Sequence, residues 1–164
     1  VILKNKRSIK AVEKVSKPGI RNIELIKRHE GLKLQAYLPT PNDKWTIGYG
    51  HTKTAHQGMY ITEEQAEDLL RQDLAWVEAA IAKLVKVKLT QNQYDAVASL
   101  IFNIGEGAFT RSTVLRELNA GNYQAAADAF LMWNKQRNRK TGEMEELRGL
   151  TKRRGEERKL FLTK

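Results

Sequence analysis

The sequence contains no cysteine, which removes disulfides, thiolate metal sites and cysteine nucleophiles from the chemistry available to it. It also lacks any run of about 18 apolar residues, the length that a membrane-spanning helix requires. Histidine is scarce: His29, His51 and His56 form no metal-ligand spacing with acidic residues, so neither a metal nor another cofactor is expected. Gly48-Tyr49-Gly50 is too short for a dinucleotide fingerprint and no helix follows it, which excludes that mode of phosphate binding. There is no internal repeat and no low-complexity segment. The first 17 residues hold six Lys/Arg but no apolar h-region, so they are not a signal peptide as they stand. The missing initiator Met points to a processed or trimmed start and leaves room for an upstream export segment.

What is present describes a soluble globular chain: 164 residues, 41% apolar and 29% charged, enough for one domain with a genuine core. Residues 1–17 read as a basic tail and 18–164 as the domain, with Pro18-Gly19 between them. Twenty-nine basic against 19 acidic residues give a net charge of +10, which favours an anionic partner: nucleic acid, an acidic membrane face or a wall polymer. Nucleic acid is not expected, because no recognition motif or aromatic-interleaved basic patch accompanies the charge.

Residues 20–30 suit a helix with Gly31 as its C-cap. Residues 32–60 collect Pro39, Pro41, Asn42, Asp43, three Gly and several Tyr, Trp, Thr and Ile, the composition of a small sheet with a turn near 41–43. Everything afterwards reads as helical. Thr62 with Gln65 and Thr90 with Gln93 are capping boxes, each opening an amphipathic run. Shorter helices are expected over about 112–119, 123–134 and 146–161. The architecture is therefore α+β, a small β-lobe beside a larger helical lobe, with a ligand site expected in the cleft between them.

Two carboxylates stand out. On a wheel of about 100° per residue, Glu30 falls between Ile23 and Ile26, on the apolar face of its helix. Desolvation there and the negative end of the helix dipole both favour the protonated carboxyl, the form a general acid needs. A frayed helix end, or pairing with a neighbouring arginine, is the plainer reading of the same position. Asp43 in "TPNDKW" has the ordinary role of a turn aspartate. A helix end and a hairpin could nonetheless set these two carboxylates facing across a cleft, as glycosidic cleavage requires. Thr46 reads as a β-branched strand residue. Gly48 and Gly50 permit unusual dihedrals or the close approach of another segment. His51 reads as orienting its loop by hydrogen bonding, with a catalytic base as the alternative.

The ordered occurrence of "IELIKRHEGLKLQAY", "WTIGYGHT", "FNIGEGAF" and "GLTKRRGEERKLF" resembles the phage lysozymes (endolysins) of glycoside hydrolase family 24, from about Ile20 to Phe161. The resemblance implies a lysozyme-like fold and hydrolysis of the β-1,4 bond between N-acetylmuramic acid and N-acetylglucosamine in peptidoglycan. It implies an enzyme made in the host bacterial cytoplasm that acts on the cell wall and lyses the host at the end of phage infection; a monomer is the default expectation for a cleft enzyme of this size. The family motif is a glutamate, an aspartate (sometimes cysteine) and a threonine, with about eight and about five residues between them, carrying the two-carboxylate chemistry. Glu30 takes the first place, as the acid, and Thr46 the third, helping to place the attacking water.

The second place does not carry over by counting: forward from Glu30 it lands on Pro39, and back from Thr46 on Thr40. Asp43 is the carboxylate that the connecting loop offers, and it is taken as the second catalytic residue; an enzyme working without the usual acid is the alternative. Asn103 and Trp133 are expected to bind substrate along the cleft, because "FNIG" and "FLMWN" resemble the family's corresponding segments. An arginine of "ELRGLTKRRGEER" is a candidate partner for Glu30, while the default for that charge run is a solvated helix face. The anionic outer-membrane surface is a candidate further partner, and a basic C-terminal segment acting on membranes is weighed against a packed terminal helix. The competing function is a non-catalytic peptidoglycan-binding or phage-tail module with the same fold.

Overall fold

The computed structural model describes residues 19–164, and the expected basic tail over 1–17 lies outside the described residues. Helix α1 spans Ile23–Glu30, shorter at its start than the expected 20–30. Asn22 caps it by accepting from Leu25 N–H at 3.2 Å. The preceding segment is not helical and is tied to other helices: Arg21 N–H donates to Asp95 at 2.9 Å and Ile20 N–H to Glu78 at 3.2 Å. Those bonds to two other helices fix the path of residues 20 and 21, and the helix starts only after the Asn22 cap.

The small lobe is a two-stranded antiparallel sheet, β1 (Lys33–Tyr37) and β2 (Thr46–Gly48), joined through the Pro39–Asp43 loop. Residues 59–61 run alongside β1, with Ala36 N–H donating to Met59 O and Ile61 N–H to Leu34 O, both at 2.9 Å. After β2 the chain reverses within three residues, because Ile47 and His51 exchange both backbone hydrogen bonds at 2.9 Å. Gly48 and Gly50 make that reversal at φ +64° and +73°, in the left-handed region where a side chain is strained.

The helical lobe begins with α2 (Glu63–Leu84) and α3 (Gln91–Ile104), and both expected capping boxes form with their reciprocal hydrogen bonds. Every residue of α3 from Tyr94 to Phe102 is buried, the pattern of a helix at the centre of a core. Around it lie α4 (Glu106–Thr110), α5 (Thr113–Asn119), α6 (Tyr123–Ala129) with a 3-10 turn to Met132, and α7 (Arg148–Leu162). Phe161 of α7 meets Phe130 with ring centroids 5.5 Å apart. Burying such side chains contributes roughly 1.5–3 kcal/mol each. The C-terminal segment is thus a packed helix, with Arg153, Arg154, Glu157 and Phe161 turned into the protein.

Two expectations need correction. The region after residue 60 is not wholly helical: β3 (Lys135–Arg137) and β4 (Met144–Glu146) form an antiparallel hairpin. Its turn is built by Asn138, whose Oδ1 accepts from the N–H groups of Lys140 at 2.8 Å and Thr141 at 3.1 Å. Gly142 completes it at φ +76°. The solvated-face default for the C-terminal charge run also fails at Arg153, Arg154 and Glu157, which are 4%, 0% and 0% exposed.

Candidate active site

Between the lobes lies a cleft of about 1000 Å³, and Glu30, Asp43, Thr46, Asn103 and Trp133 all line it. The structure therefore brings together every site residue expected from the sequence. Thr40, the rival for the second position, is not among the lining residues; its hydroxyl donates to Asp43 Oδ2 at 3.3 Å.

Glu30 is the last residue of α1, and Gly31 ends the helix at φ +68° with its N–H on Lys27 O at 2.8 Å. That stop aims the carboxylate at the cleft instead of continuing the apolar stripe. Gly50 lies directly against it: a Cβ placed on Gly50 would sit 2.5 Å from Glu30 Oε2. The glycine in the G-Y-G turn thus serves both readings of the sequence, a left-handed backbone and the close approach of another segment. Lys27, one helical turn earlier, pairs with Glu67 of α2 and lies 5.1 Å over the Tyr49 ring, tying α1 to the turn that carries Gly50.

Arg153 is the arginine that pairs with Glu30: its Nη1 donates to Oε1 at 2.7 Å. The guanidinium is itself held from below. Nη2 donates to Ser99 O at 3.2 Å, and Nε to Glu157 Oε2 at 3.3 Å. Ser99 Oγ donates to the same carboxylate. Beside them, Arg154 places Nε 2.9 Å from Glu157 Oε1 and donates through Nη2 to Asn103 Oδ1. Burial dominates this pair, pushing the Arg154 guanidinium down to about 10 and the Glu157 carboxyl above the usual carboxylate range, each opposed by the other's charge. Ser99, Arg154 and Glu157 escaped sequence reasoning. The available signal was the helical spacing of Arg153 and Arg154 to Glu157, which on an exposed helix would look the same.

Asp43 is a turn residue, as its sequence context suggests, with its N–H on Thr40 O at 3.0 Å. Its Oδ1 accepts from Lys44 N–H at 2.9 Å, so the loop holds the carboxylate at the cleft edge. Thr46 at the head of β2 is nearly buried, and its hydroxyl donates to Lys44 O at 3.0 Å. The proton being committed there, the oxygen's lone pairs are what Thr46 can offer to a ligand.

His51 lies beneath the cleft, not in its wall. Nδ1 meets Asp73 Oδ2 at 2.8 Å, and Nε2 accepts from Thr54 N–H at 3.3 Å, so both ring nitrogens are occupied and the loop-orienting reading holds. Asp73 also accepts from Trp76 Nε1 at 3.1 Å. His29 does line the cleft, with Nε2 on Glu156 Oε2 at 2.8 Å. Burial, then the nearby charge of Arg153, hold its imidazole below the ordinary histidine value, against the pull of Glu156. For Glu156, burial pushes upward, but hydrogen bonds from Arg28 and His29 outweigh it and hold the carboxyl below the usual range. Among the described residues no group of three or more His, Asp and Glu is placed to hold a metal ion.

The family model described as "Phage lysozyme" matches residues 27–157, a span that includes all of this machinery. The chain belongs to the phage lysozyme family. Among relatives of this phage lysozyme, an endolysin of Acyrthosiphon pisum secondary endosymbiont phage 1 is 50% identical over 86% of this chain and 94% of its own length. The endolysin of Salmonella phage P22 is 51% identical, with the same shares covered. Of solved structures, the muramidase domain of SpmX from Asticaccaulis excentricus superposes with a TM-score of 0.82 at 43% identity, covering 90% of this chain and all of that one. The α+β lysozyme-like architecture is thereby shared.

Proposed function

We propose that this phage lysozyme is an N-acetylmuramidase that cleaves the β-1,4 bond between N-acetylmuramic acid and N-acetylglucosamine in peptidoglycan, with Glu30, Asp43 and Thr46 performing the chemistry. The observation that carries the reading is the convergence of these three side chains on one cleft, with Glu30 anchored by Arg153. Glycosidic cleavage needs one carboxyl to protonate the leaving oxygen and a second to aid water or stabilise positive charge at the anomeric carbon.

Glu30 fits the first role. Because Oε1 faces a guanidinium that only donates, a proton on this carboxyl sits on Oε2. That proton passes to the glycosidic oxygen as its bond to the anomeric carbon breaks. Asp43, negatively charged and held by Lys44 N–H, faces the positive charge that then develops on the sugar. A water accepted into the site donates one O–H to the Thr46 oxygen and turns its own lone pair toward the anomeric carbon. Its oxygen forms the new bond to that carbon, and the proton it loses returns to the carboxylates. Asn103 and Trp133 bind the glycan along the cleft wall.

The net charge of +10 supports attraction to wall polymers bearing carboxylates and phosphates, and to the anionic outer-membrane surface. Synthesis in the bacterial cytoplasm and action on the wall late in infection complete the reading. Glu30→Gln should fold normally yet lose about 10²–10⁴-fold in peptidoglycan turnover, the usual worth of a positioned general acid. Wild-type rates from that variant would sink the assignment. Muramic acid at the new reducing end supports the muramidase reading and glucosamine opposes it. Binding of sacculi without release of reducing ends would leave a non-catalytic wall-binding module.

A further inference from the structure

Asn103 sits one residue before the end of α3, exposed to the cleft and bonded at its back to Arg154. A guanidinium has five N–H donors and no acceptor, so the carboxamide has one orientation: oxygen toward Arg154, NH₂ toward the cleft. An asparagine amide free to flip can offer a ligand either a donor or an acceptor. This one offers a donor only. Arg154 has no solvent-exposed surface and is set against Glu157, which Ser99 and Arg153 hold in turn, so nothing entering the cleft competes for its contact with Asn103. No partner for Asn103 Nδ2 is recorded among the described residues, and the donor stands ready.

We propose that Asn103 determines specificity by donating from Nδ2 to the carbonyl oxygen of a glycan acetamido group, and that Arg154 is the positioning residue that sets this polarity. A sugar hydroxyl both donates and accepts, so it would be satisfied by either face of the amide; a fixed donor distinguishes only groups that accept alone. In peptidoglycan those groups are the acetamido carbonyls and the carbonyls of the lactyl-peptide arm. The acetamido group is the one present on every sugar, including those without a peptide. This inference rests on the peptidoglycan-hydrolase reading.

The deciding variant is Asn103→Asp. It is isosteric, keeps an oxygen on Arg154 and lies at the surface, so its melting temperature should equal or exceed that of the wild type. Its second oxygen then meets an acceptor with an acceptor, and kcat/KM on peptidoglycan should fall about 10–100-fold, mostly through KM. Chemically de-N-acetylated peptidoglycan should reduce the wild type to nearly the level of the variant and cost the variant little more. Arg154→Lys, which still directs a donor at Asn103 Oδ1, should preserve the ratio of rates on acetylated and de-N-acetylated substrate, a ratio that a merely structural role would not govern. Retention of full activity by Asn103→Asp overturns the proposal. So does a wild-type preference that vanishes when stem peptides are removed instead of acetyl groups. If the wild type released no reducing ends from either substrate, the hydrolase reading would fail first; cleavage with no effect of Asn103→Asp sinks this inference alone.

Discussion

Replacing Gly50 by alanine would place a methyl group where the carboxylate of Glu30 now lies. The new Cβ would sit 2.5 Å from Oε2 and 2.8 Å from Cδ, against an ordinary contact of 3.4–4 Å, so the carboxylate must retreat by about 0.9 Å. Glu30 cannot retreat freely, because Oε1 is bonded to Arg153 at 2.7 Å. A displacement of about 1 Å at a reacting group costs roughly 10²-fold in rate. Separately, φ +73° costs an alanine about 1–2 kcal/mol. For a chain of this length that lowers the melting temperature by about 2–8 °C, which leaves the protein folded at 25 °C. Gly58 supplies the control: its φ is +83° but an added Cβ would meet nothing within 4 Å. Gly58→Ala should therefore show a similar thermal loss with wild-type turnover, whereas Gly50→Ala shows both losses. Turbidity clearing of peptidoglycan suspensions and thermal melts followed by circular dichroism give the two readouts. Equal activity in the two variants would refute the link between Gly50 and the placement of Glu30.

Asp43→Asn should lower turnover by about two orders of magnitude through loss of the charge facing the anomeric carbon. Thr40→Ala, which removes one hydrogen bond to Asp43, should cost only a few-fold; the reverse ranking in the same assay would move the second catalytic position to Thr40. His29 is held below its ordinary value in the folded protein, so the unfolded chain takes up a proton first as pH falls below about 6.5, and stability declines there. His29→Gln should flatten the dependence of melting temperature on pH between 5 and 7, and an unchanged slope would discount the burial of that ring.

Helix starts were legible because Thr62 and Thr90 carry their own hydrogen-bond partners three residues away, a local signal that the folded protein keeps. Glu30 stood out by its wheel position, but the resemblance to the phage lysozymes is what made it the expected acid and not an ordinary helix-end glutamate. Asp43 was legible only as a turn residue, since whether a loop carboxylate reaches a cleft depends on the path of the whole loop. Arg154 and Glu157 were misread, and the arginine expected to pair with Glu30 was not singled out, because burial of a charged helix face is decided by what packs on it, here Ser99 and the rest of α3. The β3–β4 hairpin was missed for a different reason: its three-residue strands are exposed throughout and have no alternation of apolar and polar residues to reveal them.

Glu30 and Arg153 stand 123 residues apart in a chain that a ribosome makes from one end. At about 5–20 residues per second, the acid exists for roughly 6–25 s before its guanidinium partner is even polymerised. Any copy whose translation stops before α7 lacks Arg153 behind Glu30, Arg154 behind Asn103 and Phe161 against Phe130. The acid and the amide of the cleft thus acquire their supports together, from one helix that is made after both of them.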